Sequence, residues 1–220
     1  MDTVVFAVEL IGTFAFAVSG AMAAAESHLD IFGTVVLGAT TAVGGGVLRD
    51  VLLGITPPVM FVNPVYVAVA FAASLIVFVL EYYHIGKAAA HASVSVKIIN
   101  WFDTLGLAVF LISGCNVAIS MGYFDNAFLV IFVGTLTGVG GGILRDIFVR
   151  KIPSVLRKKV YAVAAILGGV VYYVLLRAGA GEAGAMLGGM GVIILMRLLA
   201  YKYEWDLPRI SDDEKQRKYI

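Results

Sequence analysis

The sequence predicts an all-α integral membrane protein with seven transmembrane helices, built as two inverted three-helix repeats plus a seventh helix. Three observations carry this prediction. The 220 residues are 60% hydrophobic and only 14% charged, whereas soluble domains are roughly 25% charged. The apolar residues form blocks near the length of about 20 residues that a bilayer span requires. Finally, Gly44-Gly45-Gly46-Val47-Leu48-Arg49-Asp50 returns as Gly140-Gly141-Gly142-Ile143-Leu144-Arg145-Asp146, which marks an internal duplication.

The spans fall near 4–25, 31–54, 59–81, 98–121, 126–149, 159–177 and 184–201. The first has Glu9 inside it and no Lys or Arg before it, unlike a secretory leader, so it is expected to be a retained span. Ser27 to Asp30 ends it, and Thr56-Pro57-Pro58 ends the second. A polar connector from Glu81 to Lys97, holding His84, Lys87 and His91, follows the third. Gly122 to Asp125 separates the fourth and fifth, Arg150 to Pro153 ends the fifth, and Gly179 to Gly184 forms a glycine-rich turn. The expected organisation is one transmembrane domain over 1–201: repeat one about 1–85, repeat two about 98–178, and an extra helix about 184–201. A polar tail, 202–220, follows.

The repeat reaches beyond the glycine motif. Glu9 precedes Ser19 by the interval that separates Asp103 from Ser113, and Pro57 and Pro153 stand equally far beyond their glycine triplets. Three spans per repeat is an odd number, so the second repeat enters the membrane the opposite way up. Lys87, Lys97, Arg150, Lys151, Arg157, Lys158, Lys159, Lys202, Arg209, Lys215, Arg217 and Lys218 collect on one side of a seven-span topology. The positive-inside rule makes that side cytoplasmic, with the N-terminus outside and the C-terminus inside.

A glycine triplet lets a membrane helix bend or unwind, and an arginine close by needs water or a partner. The triplets are therefore expected to break their helices and expose carbonyl oxygens, a pattern of sites that move polar cargo. Asp50 lies about 100° round the helix from Arg49, so it is expected to pair with another helix rather than with Arg49. Arg49 and Arg145 are expected to close a path by hydrogen-bonding across it, to a carboxylate or to Ser19 or Ser113. Glu9 and Asp103 are partners for the arginines, ion carriers, or residues at headgroup level with little role, and the sequence leaves these readings open.

Other groups have plainer readings. Arg157, Lys158 and Lys159 set topology, with contact to anionic lipid headgroups as a second role. Tyr82, Tyr83, Tyr201, Tyr203 and Trp205 look like interfacial anchors. The single Cys115 forms no internal disulfide and reads as a small packing residue. Scattered histidines and the absence of any nucleophile–base pattern give no reason to expect an enzyme, a metal or another cofactor. The net charge of +1 gives none for nucleic acid.

Paired GGGxLRD motifs on the second helix of each three-span repeat, with a seventh helix, resemble the prokaryotic branch of the trimeric intracellular cation (TRIC) channels, a group also catalogued as a glycine-transporter-like domain. The resemblance covers residues 1 to about 201. It implies a homotrimer in the cell (inner) membrane with a pore inside each protomer, conducting monovalent cations, potassium before sodium, between two kinked helices. Carried onto this chain, the kinks are Gly44–Gly46 and Gly140–Gly142, and the charges of the path are Arg49, Asp50, Arg145 and Asp146. The alternative is a secondary transporter of small amino acids such as glycine, which would use the same inverted repeats.

Overall fold

Asp30 and Asn126 open equivalent helices in the two halves: their side chains accept the backbone N–H of Gly33 at 2.7 Å and of Leu129 at 3.0 Å, each satisfying a donor that a helix start leaves free. The computed structural model describes residues 3–83, 88–157, 160–203 and 205. These form α1 (Thr3–Glu26), α2 (Ile31–Leu53), α3 (Val59–Val62), α4 (Val65–Tyr83), α5 (Ala88–Ala118), α6 (Ala127–Phe148), α7 (Ser154–Arg157), α8 (Tyr161–Arg177) and α9 (Glu182–Lys202). Six of them are long and apolar enough to cross a membrane, and α8 is a shorter apolar helix of 17 residues.

Two expected limits differ. The third span was expected over 59–81, but the chain makes the single turn α3, straightens at Asn63 and restarts as α4. Pro64 is the cause, because the residue before a proline is driven out of the helical region. The fourth span starts earlier: the backbone is already helical at Ala88, inside the expected polar connector. Of that connector's named residues, His84, Lys87 and the side chain of His91 lie outside the described residues. A π-helical turn, Ile119–Tyr123, ends the span at Gly122, whose φ is 89°.

The two halves pack alike. α1 lies against α2 and α4, as α5 lies against α6 and α8, while α2 crosses α6 and α1 packs along α5. The seventh helix, α9, covers α8 and α5. Buried hydroxyls return their protons to their own helices, Thr41 to Leu37 O and Thr137 to Val133 O, both at 2.7 Å. Lipid offers such groups no water, so this internal solution is required. Cys115 is buried among the packed residues of the second half, as its small size suggested.

The glycine triplets correct an expectation. Helix α2 runs unbroken through Gly44, Gly45 and Gly46, and α6 through Gly140, Gly141 and Gly142. Neither triplet unwinds, and neither contains a residue of positive φ. Their backbone groups stay in the helix ladder because the glycines are used for contact. A Cβ at Gly45 would stand 2.1 Å from the carbonyl oxygen of Thr137, and one at Gly141 would stand 2.1 Å from that of Thr41. Only hydrogen fits there, so α2 and α6 cross backbone to backbone.

Candidate ion path

Third in each triplet, Gly46 and Gly142 face away from the crossing: a Cβ added at Gly46 would meet only Arg49 Nη2, at 3.8 Å, and one at Gly142 would meet Asp103 Oδ1 at 3.3 Å, Tyr161 Oη at 3.4 Å and Arg145 Nη2 at 3.8 Å. Each arginine then folds onto the aspartate that follows it. Arg49 Nε and Nη2 both lie 2.8 Å from Asp50 Oδ1. Arg145 Nε and Nη2 lie 2.9 and 2.8 Å from Asp146 Oδ1. The expectation that Asp50 could not share the direction of Arg49 is therefore wrong: the long arginine side chain curls back across the angle between their Cβ atoms. The outer carboxylate oxygens are also held. Asp50 Oδ2 accepts the Val59 N–H at 2.9 Å and Asp146 Oδ2 the Ser154 N–H at 2.6 Å, so each pair anchors the short helix that follows.

Beyond this shared pattern the two sites diverge. Arg145 Nη1 donates to Ser19 Oγ on α1 at 2.6 Å and to Asp103 Oδ1 on α5 at 2.7 Å. Asp103 Oδ2 stands 3.6 Å from Arg197 Nη2 on α9. Arg197 also lies 4.4 Å above the Tyr161 ring and donates through Nε to Thr104 Oγ1 at 3.2 Å. Arg145, Asp146, Asp103 and Arg197 make a buried four-charge group of zero net charge that joins α1, α5, α6 and α9.

At the other site Ser113 does not meet Arg49. Ser113 Oγ donates to Glu9 Oε1 at 2.5 Å, and Tyr66 Oη donates to Glu9 Oε2 at 2.6 Å. Among the described residues Arg49 pairs with Asp50 alone. Around them lies a cavity of about 700 Å³, lined by Glu9, Gly46, Arg49, Asp50, Tyr66 and Ser113 among others. Asn116, which accepts a hydrogen bond from the Tyr172 hydroxyl, lines it too. A second cavity, about 490 Å³, is lined by Ala23, Glu26, Arg145, Asp146 and Lys151. The first takes in Val5 and Thr13, the second Ala23 and Glu26, so the two lie at opposite ends of α1. Along α1, Ser19 falls between the residues that line the first cavity and those that line the second, and its partner Arg145 lines the second.

The sequence-predicted residues thus separate into groups. Ser19, Arg145 and Asp146 come together; Arg49 and Asp50 come together; Ser113 joins Glu9 instead. Gly44, Gly45, Gly140 and Gly141 serve the α2–α6 crossing. Arg157 closes α7, its side chain and all of Lys158 and Lys159 being outside the described residues. Sequence reasoning missed Tyr66, Tyr161, Asn116 and Arg197 as members of the site. Arg197 carried a usable signal, since an arginine inside an apolar span needs a partner.

An all-helical integral membrane protein with two inverted three-helix repeats, a seventh helix and a buried arginine–carboxylate group in each half is a recognisable class. A protein-family profile described as Glycine transporter matches residues 6–82 and 100–177, one segment in each repeat. The chain belongs to that family, the prokaryotic branch of the TRIC channels. It is 36% identical over 212 residues to the UPF0126 membrane protein of Vibrio cholerae, covering 96% of this chain and 85% of that one. It is 35% identical over 220 residues to the UPF0126 inner membrane protein YadS of Escherichia coli K12, covering 97% and 99%. The solved TRIC channel orthologue from Rhodobacter sphaeroides superposes with a TM-score of 0.83 at 32% identity, over 92% of this chain and all of that one. A second solved TRIC cation channel gives 0.79 at 35% identity, over 93% and 96%.

Proposed function

We propose that the protein is a monovalent cation channel, potassium-preferring, with one path inside each protomer of a homotrimer. The path runs past the third glycines of the triplets, between α2 and α6 and the two helices α1 and α5 that flank them. The solved relatives are TRIC cation channels, which supports conduction over the carrier alternative. The observation that carries the reading is the bond from Arg145, which lines one cavity, to Ser19, which sits on α1 between the residues that line the two. Arg145 acts as the gate on the cytoplasmic side, while the Arg49 side stays open to the outside in the state described. The glycines keep the helices close enough for one guanidinium to bridge them.

Purified protein in a planar bilayer with potassium chloride on both sides tests this. Discrete single-channel openings with a cation-selective reversal potential in a salt gradient are expected. Glycine exchange in vesicles without such openings would make the protein a carrier.

A further inference from the structure

Four carboxylates are buried in the described residues: Glu9, Asp50, Asp103 and Asp146. Asp50 is paired with Arg49, Asp146 with Arg145, and Asp103 with both Arg145 and Arg197. Glu9 has no cationic group within ion-pair distance among the described residues. Its partners are the hydroxyls of Tyr66 and Ser113, and it is 8% exposed. We infer that Glu9 is the residue that gives the path its preference for cations, an inference that rests on the channel reading.

The charges along the larger cavity decide the point. Its lining contains Glu9, Arg49, Asp50 and Glu182. Arg49 and Asp50 cancel at 2.8 Å. Glu182 is exposed at the start of α9, where solvent screens it. Glu9 remains as the uncompensated charge, held beside the space in a setting of low dielectric, where a single charge acts over a long range. Without it the cavity would present, apart from the screened Glu182, only a neutral ion pair, which has no net attraction for cations. The two hydroxyls fix the carboxylate from α4 and α5, so its position does not depend on an arginine. Asp103, its repeat counterpart, is consumed by the inner cluster and has no such freedom. Selectivity is thereby separated from gating: Glu9 filters at one end of the path and Arg145 closes the other.

The test is the reversal potential of the full-length trimer in a potassium chloride gradient. Glu9→Gln keeps the shape and can still accept a hydrogen bond, but removes the charge. The ratio of potassium to chloride permeability should fall by about tenfold or more, the scale on which a focused charge enriches counter-ions in a cleft. Glu9→Asp should retain most of the ratio. If Glu9→Gln fails to assemble, Val5→Lys decides: Val5 lines the same cavity one helical turn before Glu9, and a lysine there neutralises Glu9 without touching its hydroxyl partners. A purely structural role would alter yield and leave the ratio in place. An unchanged ratio in assembled Glu9→Gln, or in Val5→Lys where the first variant does not assemble, would overturn the inference while leaving the channel standing. A parent protein that carries no current overturns the channel reading, and the role of Glu9 falls with it.

Discussion

Arg145 on α6 reaches Ser19 on α1 through a 2.6 Å hydrogen bond, whereas Ser113, the repeat counterpart of Ser19, donates to Glu9 at 2.5 Å. Two halves of common origin therefore use their serines differently, one bonded to an arginine and one to a glutamate. Inversion explains why this is possible, because the two serines lie toward opposite ends of the membrane.

Ser19→Ala is the clean test of the latch. It removes one hydroxyl and leaves Arg145 bonded to Asp103 and Asp146, so no buried charge is stranded. A hydrogen bond to a charged group is worth about 1.5–3 kcal/mol, so losing it from the closed state alone should raise the open-to-closed ratio roughly ten- to a hundredfold. Single-channel recording reads this as open probability. Ser113→Ala, which removes no arginine contact, should leave closing by Arg145 in place. Equal open probability in Ser19→Ala and the parent would take the latch out of the mechanism.

The glycines separate into structural and path-facing positions. A methyl group at Gly45 or Gly141 would meet a carbonyl oxygen of the opposed helix at 2.1 Å, and such overpacking costs typically 1–3 kcal/mol. Gly45→Ala and Gly141→Ala should therefore lower the melting temperature of the detergent-solubilised protein and reduce the assembled fraction on gel filtration. At Gly46 the nearest atom to an added Cβ is Arg49 Nη2, 3.8 Å away. Gly46→Ala should fold as well as the parent, or better by about 0.5–1 kcal/mol from helix propensity, and should change unitary conductance. Normal melting in Gly45→Ala would mean that α2 and α6 can separate without cost.

What the sequence revealed was mostly what the duplication repeats. The matched motifs, the Glu9–Ser19 and Asp103–Ser113 intervals and the equal placing of Pro57 and Pro153 made the three-plus-three-plus-one plan legible. The helix caps Asp30 and Asn126 follow the same register. Pro64 was visible too, but a hydropathy window ran straight over it, and only the local rule for the residue before proline divides that span. The triplets were misread because flexibility and close packing use the same residue, and composition does not say which one the neighbouring helix requires. The Arg49–Asp50 pair was hidden because helical angle describes Cβ directions, not the reach of a long side chain. Tyr66 and Tyr161 join the site from distant helices, so no local pattern could have placed them; Arg197, an arginine inside an apolar span, signalled a need for a partner but not which one.

Orientation is open to a labelling experiment. The Lys and Arg imbalance expects the N-terminus outside and the C-terminus in the cytoplasm. Asp2 and Lys215 lie outside the described residues, and Cys115 is buried, so Cys115→Ser provides a silent background. Asp2→Cys in intact cells should react with an impermeant maleimide, and Lys215→Cys only after the membrane is opened. Both reacting in intact cells would mean an even number of crossings.

The seventh helix brings to the Arg145 cluster a charge that neither repeat supplies. Arg197 stands 3.6 Å from Asp103, lies over Tyr161 and bonds Thr104. With it, the group of Asp103, Asp146, Arg145 and Arg197 is neutral; without it, one negative charge is buried uncompensated. Complete loss of a partner from a buried ion pair costs about 3–5 kcal/mol, but Asp103 keeps its 2.7 Å contact with Arg145, so Arg197→Met should cost about 1–3 kcal/mol. The same change leaves Asp103 and Asp146 pulling on Arg145 alone, which tightens its hold near Ser19. Arg197→Met should therefore lower both the melting temperature and the open probability, and Arg197→Lys should restore part of each. The pairing of the two readouts is the check. A lower melting temperature with unchanged gating would make Arg197 a docking residue for α9, separate from the Arg145–Ser19 contact.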